Sequence, residues 1–269
     1  MKKELVTIGI TTILFAIAFS GCVEKNTVTA EEIKERFLQA SKSVTSYKCS
    51  SSGTYAMTTI KESTSTKEFL LVQSGEVDNL NKKIKQYYNT TSEGSNEEHV
   101  IFYMVDNVSY YGNQTNGNTT WTSSYAGSEM WNASSLLETL TIILENGTVQ
   151  FNNTELKRLS DEKVENVDCY ILQFTGFQNQ SATTSNAYSR IEYDIKYWIA
   201  KDTNLLKKSY LKSTIDQTGV YSFGGANRSI ATGEMETIFY DYNVPLNIEL
   251  PPEAKNNSLW PGISYPPNP

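Results

Sequence analysis

Cys22 has the most clearly defined chemistry in this sequence, because the residues before it are typical of an export signal. Two lysines open the chain, and an apolar run from Leu5 to Phe19 follows. Small residues at 20–21 then lead directly to the cysteine, as in a prokaryotic lipobox. The sequence therefore predicts that residues 1–21 are a signal peptide and that the Cys22 thiol is acylated. Each buried CH₂ of such chains contributes about 0.8 kcal/mol to membrane binding.

Phe19 departs from the usual lipobox pattern, because leucine most often stands three residues before the cysteine. The alternative is an uncleaved N-terminal membrane helix, although the apolar run is somewhat shorter than the ~20 residues that usually span a bilayer. In either case the remaining residues lie outside the cytoplasm. The expected location is the outer face of the cell membrane, with residues 22–29 as a lipidated tether.

Cys49 and Cys169 are the two other cysteines. In an oxidising compartment, two leftover cysteines often form a disulfide. Alternatively, each is a small buried hydrophobic residue. The sequence leaves both possibilities open, because pairing requires Cα atoms within bonding range.

Residues that could support catalysis or bind a metal are sparse. His99 is the only histidine, and no nucleophile-elbow glycine pattern or Cys-x-x-Cys motif accompanies it. Gly224-Gly225 lacks the strand–glycine–lysine–helix context of a phosphate loop. We interpret Asp161-Glu162 and Glu31-Glu32 as solvated carboxylates that lie in turns or at helix caps. We therefore expect no enzymatic activity, no metal and no cofactor.

Charge and sequons both favour a cell-surface protein. The net charge is −7, and no basic stripe with interleaved aromatics is present, so we expect no nucleic-acid partner. Sequons mark surface loops of exported chains. With the lipobox, they suggest a glycoprotein of an archaeal cell surface. The ten acceptors are Asn89, Asn107, Asn113, Asn118, Asn132, Asn146, Asn152, Asn179, Asn227 and Asn256.

The pattern of apolar residues predicts two helices and many strands. Thr29 and Glu32 form a capping box before a helix at 30–43. A second helix is predicted at 133–145, with Gly147 closing it. Residues 255–269 form a proline-rich tail. Strands are predicted from Ser46 onward, at 66–77, 80–91, 97–105, 107–112, around Trp121, and at 147–159, 166–176, 188–200, 204–218 and 230–241.

Several of these segments resemble the LolA/LppX superfamily of lipoprotein carriers, in its archaeal lipoprotein branch. The similarity covers most of residues 30–254, which we treat as one domain, and it rests on structural rather than catalytic motifs. The similar segments are Tyr110-Tyr111-Gly112 through Trp121, Val167–Leu172, Tyr197–Leu206 and the C-terminal Tyr240–Pro252.

The resemblance implies an α+β fold, in which an antiparallel sheet curls into a half-open barrel with helices covering its concave face. Superfamily members hold acyl chains between sheet and helices, so we expect a lipid or another apolar ligand there. The alternative is a non-enzymatic surface scaffold or interaction protein with a filled core. The residues expected to line a cavity are Phe37, Leu38, Leu136, Leu137, Leu140 and Ile143.

Overall fold

The computed structural model describes residues 28–93, 97–126, 130–131, 134–150, 152–181, 187–219, 222 and 226–256. The predicted signal peptide, Cys22 and most of the tether therefore lie outside the described residues. The same is true of Asn132, Gly224-Gly225 and residues 257–269.

The chain is mostly β-structure, with three helices among the described residues. Helix α1 spans Ala30–Ser41, and its predicted capping box is confirmed. The Glu32 N–H donates to Thr29 Oγ1 at 3.2 Å, and the Thr29 N–H donates to Glu32 Oε2 at 2.8 Å. The short helix α3 spans Pro252–Lys255.

Helix α2 spans Leu136–Gln150, so the predicted helix stop at Gly147 was wrong. A glycine inside a helix costs only about 1 kcal/mol relative to alanine. Because α2 packs against β-strands and α1, tertiary contacts offset that cost.

Eleven antiparallel strands form a single sheet. Their bounds are β1 Ser46–Ile60, β2 Thr64–Asp78, β3 Lys83–Ser92, β4 Glu98–Val105, β5 Val108–Thr115, β6 Asn118–Tyr125, β7 Asn152–Val164, β8 Val167–Ser181, β9 Tyr188–Ala200, β10 Leu206–Thr218 and β11 Arg228–Tyr240.

The strands run in the order β6-β5-β4-β3-β2-β1-β11-β10-β9-β8-β7. Two meanders, β1–β6 and β7–β11, therefore meet where β1 pairs with β11, and α2 carries the chain from one edge of the sheet to the other. Tight turns join many neighbours. Asp106-Asn107 and Glu165-Asn166 have positive φ at both residues, as two-residue hairpin turns with type I′ geometry require.

The two faces of the sheet differ in what covers them. We call the face that carries Tyr47 the inner face and the opposite one the outer face. Along β1, inner-face residues are buried from Tyr47 to Ser51 and then become half-buried or exposed. Phe37 of α1 packs on Tyr197 of β9 with ring centroids 6.4 Å apart. The helices thus pack on the part of the inner face nearer the start of β1, whereas we had expected them to cover the whole concave face.

Candidate functional site

A groove lies on the outer face of the sheet, because alternate outer-face residues of each central strand line it, such as Thr54 and Ala56 of β1. Its volume is about 730 Å³, and a smaller cavity of about 160 Å³ lies on the inner face. Residues of five neighbouring strands, β3, β2, β1, β11 and β10, line the groove. A flat sheet would spread these strands over about 19 Å, at about 4.8 Å per spacing. They share one groove because the sheet is curled there.

On the inner face, two glycines leave the floor of the smaller cavity without side chains. A Cβ on Gly53 would lie 2.9 Å from the Cα of Met235 and closer still to the carbonyl oxygen of Glu234. A Cβ on Gly233 would lie 3.3 Å from the Cβ of Tyr55. The central β1–β11 pair therefore approaches so closely at Gly53 that only glycine fits.

Apolar walls surround this floor. Leu71, Leu211 and Met235 line the smaller cavity. Because β1 residues Gly53 and Tyr55 pair with Leu71 and Phe69 of β2, these side chains share the inner face. The rings of Tyr55 and Phe69 stack there with centroids 4.4 Å apart and an interplanar angle of 9°.

The groove on the outer face combines apolar side chains with an ion pair. Ala56 and Leu70 line it together with Lys212 and Glu234. Lys212 Nζ lies 2.7 Å from Glu234 Oε1, and the hydrogen bond from this lysine, followed by one from Tyr210, lowers the pKa of Glu234. Such a site can hold an apolar chain and place a polar group at its rim.

The six residues predicted to line a cavity lie in the part of the fold that the helices cover. Phe37, Leu137 and Leu140 are buried in the main core, and Leu38, Leu136 and Ile143 pack half-buried against it. The groove and the smaller cavity are lined by other residues. That these six contact a ligand stays a prediction.

Polar side chains of the sheet fix the start of α2. Tyr47 Oη lies 3.1 Å from Ser135 Oγ and accepts a hydrogen bond of 3.1 Å from the Leu137 N–H. Gln86 Nε2 donates to the Ser134 carbonyl at 2.9 Å, and Tyr197 Oη donates to the Leu140 carbonyl at 3.3 Å. The helix is therefore positioned by directional bonds in addition to apolar packing.

The two cysteines are free and buried, so the disulfide that the sequence left open is not formed. Cys49 belongs to the main core, whereas Cys169 packs on the outer face with Val164, Ile171 and Trp198. Strands β1 and β8 lie four positions apart, which at about 4.8 Å per spacing is about 19 Å. A disulfide needs Cα atoms within about 7 Å.

His99 is half-exposed and sits among polar groups. Its Nδ1 lies 2.7 Å from Asn89 Oδ1, and its Nε2 lies 3.7 Å from Glu97 Oε2. Across the described ranges, no three histidine, cysteine or carboxylate side chains are grouped so that they could hold a metal ion.

Most of the predicted glycosylation acceptors are accessible, as the modification requires. Asn89 is half-buried beside His99. Whether any acceptor is modified stays a prediction. The exposed acceptors are Asn107, Asn113, Asn118, Asn146, Asn152, Asn179, Asn227 and Asn256.

The described residues include no helix with the length and apolar character needed to span a bilayer. Lipidation of Cys22 and the location at the membrane therefore stay predictions from the sequence.

Comparisons with known proteins found similarity to solved structures only. No protein-family model and no curated protein matches the sequence. A LolA superfamily protein from Nitrosomonas europaea is 10% identical, with 84% of this chain and 96% of that chain covered and a TM-score of 0.22.

Two further structures are similar at the same level. A DUF1329 family protein from Desulfovibrio piger is 11% identical, with 82% and 96% coverage and a TM-score of 0.25. An outer membrane lipoprotein-sorting protein domain from Vibrio parahaemolyticus is 11% identical, with 81% and 94% coverage and a TM-score of 0.19. A member of the LolA superfamily, which the sequence resembles, is thus among the similar structures.

Proposed function

We propose that this chain is a membrane-anchored cell-surface lipoprotein that binds a lipid or another apolar ligand in the groove and has no enzymatic activity. The observation that carries the proposal is the groove itself. Its volume of about 730 Å³ lies within the range of about 300–1,000 Å³ typical of small-molecule sites.

The lining of the groove suits a ligand with an apolar chain and a polar group. Ala56 and Leu70 supply apolar contacts, and the Lys212–Glu234 ion pair supplies polar ones. Burying each CH₂ of such a ligand would contribute about 0.8 kcal/mol.

The position of the helices leaves the groove accessible to a ligand. Helices α1 and α2 pack on the inner face, and the groove lies on the opposite face. Cys22 would hold the domain at one membrane, which limits it to local capture or presentation rather than transport over a distance.

Native mass spectrometry of the Cys22→Ser protein, produced in a lipid-containing host without detergent, tests this function. We expect adducts of lipid mass that disappear on denaturation. Leu70→Trp should remove them, because Leu70 lines the groove and the indole would fill it. Val72→Trp is the matched control, since Val72 lies on the same face of β2 and is 43% exposed but does not line the groove.

Equal adduct loss in both variants, or no adduct in the parent protein, would contradict ligand binding in the groove. The second result would favour a surface interaction protein. One observation supports this alternative: the part of the inner face under the helices is filled by side chains.

A further inference from the structure

The antiparallel strands give the sheet two opposite ends, which differ in what they carry. We call the end that holds the start of β1, the end of β11 and the turns β2–β3, β4–β5, β7–β8 and β9–β10 the near end. The opposite end is the far end. The described chain enters the domain close to the near end, and this end also exposes apolar side chains in its turns.

A series of polar contacts holds Val28, the first described residue, close to the near end. The Val28 carbonyl oxygen accepts a hydrogen bond of 2.7 Å from Arg158 Nη1. Arg158 also pairs with Asp161 at 2.9 Å, and Asp161 lies 2.7 Å from Nζ of Lys201 in the β9–β10 turn. These contacts fix the point at which the chain enters the domain.

The predicted anchor can reach the near end but not the far end. Val28 follows Cys22 by six residues, and a chain of that length spans at most about 22 Å. Arg158, which holds Val28, pairs with Leu172 of β8. Since β8 spans Val167–Ser181, Leu172 lies about 17 Å from the near end of the strand and about 31 Å from its far end, at about 3.4 Å per residue.

The β2–β3 turn exposes a leucine at the near end. Leu80 is 75% exposed, the highest value of any large apolar side chain in the described chain. Hydrogen bonds fix this turn, because the N–H groups of Asn79 and Leu80 donate to the Thr45 carbonyl at 2.8 and 3.3 Å. Asp78 accepts from the backbone N–H and the side-chain amide of Asn81, at 2.9 and 2.7 Å.

Val244 is a second exposed apolar residue beside this turn, at 45% exposure. The start of β1 connects it to Leu80. The Thr45 N–H donates to Asn243 Oδ1 at 2.8 Å, and Ser46 Oγ donates to the Val244 carbonyl at 2.6 Å. Because β1 lies between β2 and β11, the two apolar residues are about 10 Å apart, at about 4.8 Å per strand spacing.

A lipid surface suits such a pair better than a specific charged partner. Lys82 and Lys83 follow Leu80 directly, whereas Asp106 lies in the neighbouring β4–β5 turn. The local charge therefore favours anionic headgroups only weakly, and apolar contact must supply most of the attraction. A tethered contact forms within one assembly, so even a weak one is populated.

The predicted glycosylation acceptors fit a membrane at the near end. A glycan is hydrophilic and needs access to water. Asn107, in the β4–β5 turn, is an exception. Six acceptors lie in far-end turns or in the far halves of their strands: Asn89, Asn113, Asn118, Asn152, Asn179 and Asn227.

We infer that the near end rests on the bilayer that holds Cys22, with Leu80 and Val244 in contact with its lipids. This orientation rests on the membrane anchor of the proposed function, but it does not depend on the ligand. Thr54 lines the groove and lies nine residues beyond Thr45 along β1, about 31 Å at about 3.4 Å per residue. The groove would then open to the surroundings rather than to the membrane.

Fluorescence quenching on vesicles tests the contact. The full lipidated chain is bound to vesicles of phosphatidylcholine and phosphatidylglycerol, with an environment-sensitive probe on Leu80→Cys or on Glu62→Cys. Glu62 is the matched control, because it is exposed in the β1–β2 turn at the far end. Cys49 and Cys169 are buried, so they should stay unlabelled in the folded protein. We expect nitroxide lipids to quench the Leu80 probe several-fold more strongly than the Glu62 probe.

A second pair of variants tests whether Leu80 itself makes the contact. With the probe on Val244→Cys, Leu80→Asp should weaken the quenching several-fold, and Val72→Asp, at an exposed position on the outer face, should leave it unchanged. Flotation with the vesicles measures anchorage separately. In protein that floats, quenching at Leu80 no stronger than at Glu62 would overturn the inference. Protein that does not float would overturn the anchor and this orientation together.

Discussion

Tyr47 joins the middle of the sheet to the start of α2 through one buried hydroxyl group. Its side chain is fully buried between Phe239 and Tyr242, and burial raises its pKa. The hydroxyl group contacts Ser135 Oγ and accepts from the Leu137 N–H. Removing it would leave a buried backbone donor without its partner.

We expect Tyr47→Phe to lower the free energy of unfolding by about 2 kcal/mol, since an unsatisfied buried donor costs about 1–3 kcal/mol. In a domain of this size the melting temperature should fall by about 5 °C. Differential scanning calorimetry measures both quantities. Tyr111→Phe is the control, because Tyr111 is 37% exposed. An equal loss in both variants would show that the hydroxyl of Tyr47 does not hold the helix.

The two buried thiols should be unreactive in the folded protein. Burial raises the pKa of Cys49 to about 12 and also raises the pKa of Cys169. Because only the thiolate reacts with alkylating agents, both cysteines should resist iodoacetamide at pH 8 until the chain unfolds. Intact mass spectrometry of the Cys22→Ser protein should then show two added groups in denaturant without reductant. Alkylation that appears only after reduction would reveal a disulfide instead.

At the scale of elements, the central β1–β11 pair sets the shape of the inner-face cavity. Gly53 faces Met235, and Tyr55 faces Gly233, in adjacent inner-face pairs. The two glycines differ in the room around them. An added Cβ on Gly53 would meet backbone at 2.9 Å or less, whereas on Gly233 it would meet the Tyr55 side chain at 3.3 Å, a tight contact that a small shift of that side chain relieves.

Gly53→Ala should therefore destabilise the domain by about 2 kcal/mol, because overpacking against backbone typically costs about 1–3 kcal/mol. Gly233→Ala, its matched control, should change stability by less than about 1 kcal/mol. The midpoint and slope of urea unfolding give both values. If the two variants unfold alike, the strands do not approach as closely at Gly53 as the structure indicates.

Alternation of apolar and polar residues predicted individual strands well and their arrangement poorly. The predicted strand at 188–200 coincides with β9, and the alternation after Ser46 is β1. No local pattern could show that β1 pairs with β11, because that pairing depends on contacts across the whole chain. The groove and the inner-face cavity were missed for the same reason. The one local signal of the cavity was a glycine, Gly53, within an alternating strand.

At the scale of the whole molecule, a substitution at Cys22 distinguishes a lipid anchor from an uncleaved N-terminal membrane helix. If Cys22 is lipidated, Cys22→Ser should move the protein from the detergent phase to the aqueous phase in Triton X-114 partition, because two acyl chains give stable membrane attachment. Cys49→Ser is the control and should leave partition unchanged. A Cys22→Ser protein that stays in the detergent phase would favour the uncleaved N-terminal helix.

The strand order has a consequence for how the protein can be made. Pairing of Cys49 with Phe239 joins the first described strand to the last, so the middle of the sheet is completed only when β11 has been synthesised. Such non-local pairing is slow to form. Until then β1 presents an open edge that invites association with other chains. We expect chains that end before β11 to be recovered as aggregates rather than as a smaller folded domain, and a secretion chaperone to be most valuable during that interval.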